Sequence, residues 1–188
     1  MQLSNKEKKR LITRYGEWAI VTGASSGIGL EIATQLASAG FNLVIVSRQQ
    51  EKLQAVKMQL TAQAGIQIRV VVADVAQSAG IDSIIRASTG LNAGLLVLSA
   101  GYGTSGNFTD SSLHAEINML EVNCNAILSL THYFSGQFVR QKRGGIILMS
   151  SMVAFQGTPY SANYAATKAY VQTLAEGIAV ELKQHNVD

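Results

Sequence analysis

Tyr164 and Lys168 stand four residues apart near the start of a long helical stretch. A phenol and an ammonium at that spacing share one helix face and can point into one site. A phenol can pass a proton to or from a reacting oxygen, and a nearby cation stabilises the phenolate that such a step requires. Surface pairs reach the same spacing, so context decides its meaning. Ser151 lies thirteen residues before Tyr164, just past the apolar run Gly145–Met149, which reads as a strand. Open α/β sheets bind ligands outside the carboxyl ends of their strands. A strand-end serine with a Tyr–Lys pair therefore marks a place where a polar substrate atom could be held and a proton moved.

A second constellation lies upstream. Thr22-Gly23-Ala24-Ser25-Ser26-Gly27-Ile28-Gly29 follows the short β-prone run Ala19–Thr22 and opens a helical pattern. This is the strand–turn–helix setting of a dinucleotide loop. Gly23 permits the tight turn, Gly27 lets the backbone approach a pyrophosphate, and Gly29 lets helix and strand pack closely. Ser25, Ser26 and Ile28 share the loop and count as cofactor-contacting positions. The helix N-terminus would offer unpaired N–H groups to phosphate; a glycine-rich turn without a ligand is the plainer alternative. The second strand ends Val46-Ser47-Arg48, with no carboxylate to hold a ribose 2′-hydroxyl. Arg48 could instead fork onto a 2′-phosphate, which favours NADP(H) over NAD(H). It also fits an ordinary exposed residue opening a helix. Asp74-Val75, after the third strand, is placed to meet an adenine amino group, and a turn aspartate capping the next helix explains Asp74 equally well.

The elements that must position these residues alternate. Strands are predicted at 19–22, 42–47, 68–73, 95–99 and 145–149, and helices at 28–39, 51–64, 78–89, about 112–141 and 160–184. The strands are continuous apolar runs without in-out alternation, as expected of strands covered on both faces. Alternating β and α elements of this kind imply an α/β doubly wound parallel sheet, the Rossmann fold. The division expected is a basic leader over 1–16 and a dinucleotide-binding and catalytic domain over 17–188. Pro159, the single proline, falls in the loop before the last helix.

Composition narrows the function classes. Charged residues make up 14%, against about 25% in an average domain, so some surface is expected to be hidden, most plainly in a homo-oligomer. The net charge of +3 is local, with Lys6, Lys8, Lys9, Arg10 and Arg14 near the start. Such a tail could touch nucleic acid or anionic membrane, but no apolar anchor interleaves the charges before Trp18, which points to a solvated leader helix and no nucleic-acid partner. There is neither a signal-peptide core nor an apolar run long enough for a membrane span, which predicts a soluble, cytoplasmic chain. Cys124 is the single cysteine and reads as a small buried hydrophobe. The three histidines have no ligand-like spacing, so no metal is expected.

Taken together, Thr22–Gly29, Asp74, Ala100-Gly101, Asn123, Ser151 and Tyr164-xxx-Lys168 resemble, in order and spacing, the short-chain dehydrogenase/reductase family, from about Trp18 onward. The stretch Tyr15–Gly23 resembles the branch holding hydroxysteroid dehydrogenases and 3-ketoacyl reductases. The resemblance implies an oxidoreductase moving hydride between NADP(H) and a small-molecule carbonyl or alcohol. It assigns Tyr164 as general acid/base, and gives Lys168 the nicotinamide ribose and the phenolate to support. Ser151 polarises the substrate oxygen, and Asn123 joins the proton relay. Cofactor contacts are implied at Ser99, Ala100 and Gly101, where Leu98-Ser99-Ala100-Gly101 replaces the usual Asn-Asn-Ala-Gly. Family members pair two long helices across a two-fold axis, which implies a homo-oligomer here through 112–141 and 160–184.

A larger departure lies at the end. The family continues past this point with a further core strand, a Pro-Gly turn, a substrate-covering loop and a final strand; here the sequence reaches Asn186-Val187-Asp188, and Val187-Asp188 resembles the opening of that strand. A strand order of 3-2-1-4-5 would then leave the fifth strand at an edge, and the substrate site would lack a wall and lid. The alternative to an active reductase is a catalytically impaired NADP-binding fragment or interaction module.

Overall fold

The computed structural model describes residues 3–188. Five strands, β1 (Trp18–Thr22), β2 (Asn42–Ser47), β3 (Ile68–Val72), β4 (Ala93–Leu98) and β5 (Gly145–Leu148), form one sheet in the order β3-β2-β1-β4-β5. Every pairing is parallel, so the expected order is the order found. The continuous apolar runs have a direct cause. Alternate residues of each central strand feed two cores on opposite faces. Trp18 and Ile20 of β1, Val44 and Val46 of β2, and Leu96 and Leu98 of β4 point into one. Ala19, Val21, Leu43, Ile45, Leu95 and Val97 point into the other.

Helices cover both faces. On the second side lie α1 (Asn5–Tyr15), α2 (Gly27–Ser38) and α3 (Gln50–Ala64). On the first lie α4 (Ser78–Ser88), α6 (Ala126–Gln141) and α7 (Ala162–Lys183), with α5 (Leu113–Leu120) packed beside α7. Ser4 and Glu7 close a capping box at the start of α1. Leu11, Ile12 and Tyr15 of this helix pack onto the core, while Lys6, Lys9 and Arg10 are exposed. No helix of the described residues is long and apolar enough to cross a membrane.

Two elements differ from expectation. The stretch 112–141 is interrupted by a π-helical turn, Glu121–Asn125, between α5 and α6. The extra residue carries Asn123 into the interior. Helical periodicity on either side masks such an insertion. The run 68–73 reads as a strand covered on both faces, but at the edge that the expected order gives it β3 leaves Arg69 and Val72 exposed. Arg69 sits over the Trp18 ring, 5.4 Å from its centroid, and donates to the Ala87 carbonyl at 2.9 Å. A charged side chain on an outer strand discourages further pairing there.

The other edge is β5. Val187 bridges to Gly144 in parallel. Asp188 N–H donates to the Gly144 carbonyl at 3.0 Å, and Ile146 N–H donates to the Asp188 carbonyl at 2.9 Å. The Asp188 carboxylate also pairs with Arg14 at 2.7 Å and accepts from the Tyr15 hydroxyl at 2.8 Å. Helix α1 is thereby tied to the last residues at the base of β5. The Arg14 guanidinium, then the Tyr15 hydroxyl, hold the Asp188 carboxyl below the usual carboxylate range against the opposing effect of burial.

The pair is largely solvated, which discounts its worth to about 0.5 kcal/mol. Asp188→Asn should lower the unfolding free energy by roughly that amount in urea melts at neutral pH. A carboxyl held low in the folded state adds stability above its unfolded pKa and loses it as pH falls through the folded one. The gap between wild type and variant should therefore close in strongly acidic solution.

Candidate active site

At the carboxyl ends of the strands lies a cleft of about 470 Å³. The β1–α2 loop forms one wall with Gly23, Ser25, Ser26, Gly27, Ile28 and Gly29. Gly23 and Gly27 have φ of +71° and +56°, backbone that favours glycine. A Cβ on Gly29 would overlap the Gly23 carbonyl oxygen, and one on Gly27 would meet nothing within 4 Å. Gly29 thus sets the approach of helix to loop, and Gly27 keeps the floor of the cleft open. Ser26 caps α2 with extended backbone and no side-chain bond, leaving the first-turn N–H groups for another acceptor.

Arg48 stands exposed at the end of β2, on the rim of the same cleft. Asp74 and Val75 line it after β3. The Asp74 carboxylate accepts from Ala76 N–H at 3.0 Å, closing a turn, whereas α4 is capped by Gln77 without a side-chain bond. Asp74 is therefore a turn residue facing the cleft and does not cap the helix. Ser99, Ala100 and Gly101 line the cleft after β4. Their path is held by Thr22, whose hydroxyl accepts from the Ser99 and Ala100 N–H groups at 3.1 Å each.

Tyr164 and Lys168 close the far side. The Lys168 ammonium lies 5.7 Å from the centroid of the Tyr164 ring. It is only 6% exposed and donates to the Met149 carbonyl at 2.8 Å. Burial pushes the Lys168 pKa down from the ordinary lysine value. The Tyr164 ring lies against the backbone at Gly103, where a Cβ would come within 2.9 Å of Cδ2.

Asn123 is fully buried behind these groups. Its Oδ1 accepts from Tyr102 N–H at 3.2 Å, and its Nδ2 donates to the Tyr102 carbonyl at 2.8 Å and the Thr167 hydroxyl at 3.1 Å. A Cβ on Gly101 would lie 3.1 Å from Asn123 Oδ1 and 3.5 Å from Lys168 Nζ, so this loop passes close to both. Ser151 follows Met149 and Ser150 of the lining and caps a 3-10 turn, Met152–Phe155, accepting from Val153 N–H at 3.4 Å. It is half-buried and does not itself line the cleft.

Several contributors escape sequence reasoning. The Met149 carbonyl and the Thr22 hydroxyl act through contacts that no motif displays, and the packing role of Gly103 has no signal beyond its type. Cys124, read as a small buried hydrophobe, is half-buried on the π-turn. Among the described residues no group of three His, Cys, Asp or Glu side chains could hold a metal ion.

The sequence profile of the short chain dehydrogenase family matches residues 17–188. The chain belongs to this family. A 7beta-hydroxysteroid dehydrogenase of Clostridium sardiniense is 32% identical over 175 residues, covering 93% of this chain and 67% of the relative. A very-long-chain 3-oxoacyl-CoA reductase of Podospora anserina is 36% identical over 178 residues, 92% of this chain and 52% of the relative. The chain thus spans about half to two thirds of these curated relatives. Among solved structures, a 7beta-hydroxysteroid dehydrogenase superposes with a TM-score of 0.91 at 30% identity, over 95% of this chain and 71% of that one. A short-chain dehydrogenase of Sphingobium yanoikuyae in complex with NADPH gives 0.87 at 30% identity, over 90% and 67%.

Two glycines in this short-chain dehydrogenase chain should respond oppositely to one methyl group. Gly29→Ala forces the helix away from the Gly23 carbonyl and should cost about 1–3 kcal/mol in denaturant melts. Gly177→Ala, in α7 with open space around its Cβ, should instead stabilise by about 0.5–1 kcal/mol.

Proposed function

We propose that this chain binds NADP(H) in the cleft and works as an oxidoreductase on a carbonyl or alcohol, with Tyr164 as the acid/base. The observation that carries the reading is that Tyr164, Lys168, the glycine loop and Arg48 all line one cleft at the strand ends. Solved relatives with bound NADPH or NADP support the cofactor.

The lining fits such a cofactor. Open space at Gly27 and the free N–H groups of α2 suit a pyrophosphate. Arg48, with no acid beside it on β2, suits a 2′-phosphate. Asp74 and Val75 would flank the adenine, and Ser99, Ala100 and Gly101 would pass along the nicotinamide half. Bound NADPH would supply the hydride for the substrate carbon.

The residues would handle the proton. In the reducing direction, Tyr164 donates its hydroxyl proton to the carbonyl oxygen as that oxygen takes up the C=O π-electron pair. The phenolate left behind is stabilised by Lys168, whose ammonium is a readier proton donor because burial lowers its pKa. Ser151 donates to the same substrate oxygen. Asn123 braces the Tyr102 loop and completes the relay behind Lys168. The oxidising direction runs these steps backwards. Leu113, Ile117 and Leu120 on α5, with Leu128 on α6 and Val180 on α7, are exposed apolar residues, and this supports a homo-oligomer through these helices.

Tyr164→Phe should abolish turnover of a test ketone, followed at the nicotinamide absorbance band, while NADPH fluorescence titration still reports binding. Full activity in the variant would remove the mechanism. Arg48→Ala should lower the preference for NADPH over NADH by roughly 10- to 100-fold, the worth of charge-assisted bonds to one phosphate; an unchanged ratio of the two dissociation constants would show that Arg48 does not read the 2′-phosphate.

A further inference from the structure

Glu116, on α5, is 8% exposed. Among the described residues the one ion pair is Arg14–Asp188, so no cation balances this carboxylate. Burying a lone charge is costly unless hydrogen bonds replace its water. Here they do. Asn163 Nδ2 donates to Glu116 Oε2 at 2.7 Å and to the Glu116 main-chain carbonyl at 3.1 Å, and the Thr104 hydroxyl donates to Oε1 at 3.0 Å. The Asn163 amide, then the hydroxyls of Thr104 and Ser111, hold the carboxyl below its usual range against the opposing effect of burial.

The two donors stand next to the two groups that locate the Tyr164 ring. Asn163 precedes Tyr164 in the first turn of α7. Thr104 follows Gly103, whose backbone packs on the ring. The first turn of a helix has no intrahelical partners for its N–H groups and is prone to fray. Ser161, the cap residue of α7, makes no side-chain capping bond; its hydroxyl donates instead to the Thr104 carbonyl at 3.3 Å. Gly106 N–H donates to the Tyr160 carbonyl at 2.8 Å. The segment that carries the ring and the loop that backs it are thus stitched to each other; Asn123 joins them deeper in, at Tyr102 and Thr167, and Glu116 joins them at Thr104 and Asn163, beside the ring itself.

We propose that Glu116 is a positioning residue: its carboxylate bridges Asn163 and Thr104 and so fixes the Tyr164 ring between α7 and Gly103. This builds on the reading of Tyr164 as the proton donor. The bridge touches neither the glycine loop nor Arg48, so losing it should disturb proton transfer and leave cofactor binding alone. A glutamine can keep both bonds, since its carbonyl accepts from Asn163 and its amide donates to the Thr104 hydroxyl.

The test uses the full-length protein. Glu116→Ala should lower kcat on the order of 10- to 100-fold, with the NADPH dissociation constant within about twofold. Glu116→Gln should recover kcat to within about threefold of wild type. Amide hydrogen exchange read by mass spectrometry gives a second measurement that needs no turnover. In Glu116→Ala, exchange over residues 103–106 and 161–164 should rise on the order of 10-fold while β1 to β3 stay protected. Unchanged kcat with unchanged exchange overturns the proposal. So does a glutamine variant as slow as the alanine one, or faster exchange in β1 to β3 with loss of NADPH binding, which would make Glu116 a general stability residue. If Tyr164→Phe keeps full turnover, the proposed mechanism fails, and the exchange pattern alone then decides whether Glu116 fixes the ring.

Discussion

A buried ammonium organises one end of the cleft in this molecule. Lys168 is almost out of water, and its strongest remaining partner is the Met149 carbonyl at 2.8 Å. A cation so placed demands an acceptor, so the bond ties α7 to the chain leaving β5. Ser150 adds to the tie by donating to the Lys168 carbonyl at 3.0 Å. Close behind, Asn123 of the π-turn holds Tyr102 and Thr167. Four segments far apart in sequence therefore meet around one charge: the β4 loop, the π-turn, the end of β5 and the start of α7.

The other half of the cleft depends on the absence of side chains. Where Lys168 must be surrounded, the β1–α2 loop must be left bare. Gly29 lets α2 lie on the Gly23 carbonyl, and the Thr22 hydroxyl then holds the β4 loop across the strand ends. The two halves share a scaffold, the parallel sheet with its two-sided core. Because each central strand is buried on both faces, its carboxyl end is placed with little freedom. The loops that line the cleft inherit that order.

Motifs of the cofactor loop and the Tyr–Lys pair were legible because local geometry forces them. Glycine is favoured where φ is positive or backbones touch, and a helix puts residues four apart on one face. Strand and helix order was legible for a similar reason, since burial on two faces writes an apolar run into the sequence. Ser151 was legible as a strand-end residue. It stands beside the cleft in this structure, and its role belongs to the proposed mechanism.

Hydrophobic periodicity thus determined the fold class, and local backbone geometry the glycine cradle, both of which depend on residues close in the chain; the strand order was expected from the family resemblance. Long-range contacts decided the rest. The π-turn is invisible to periodicity because both flanking helices share the same pattern, yet it is the turn on which Asn123 lies buried. The Met149 carbonyl acts through backbone, which every residue possesses. Glu116 in the sequence is one acid among twelve on a helical stretch, and only tertiary packing removes its water and sets Asn163 and Thr104 against it. What a side chain faces across the fold is fixed by the packing of distant segments, and one sequence read along its length carries no record of that distance.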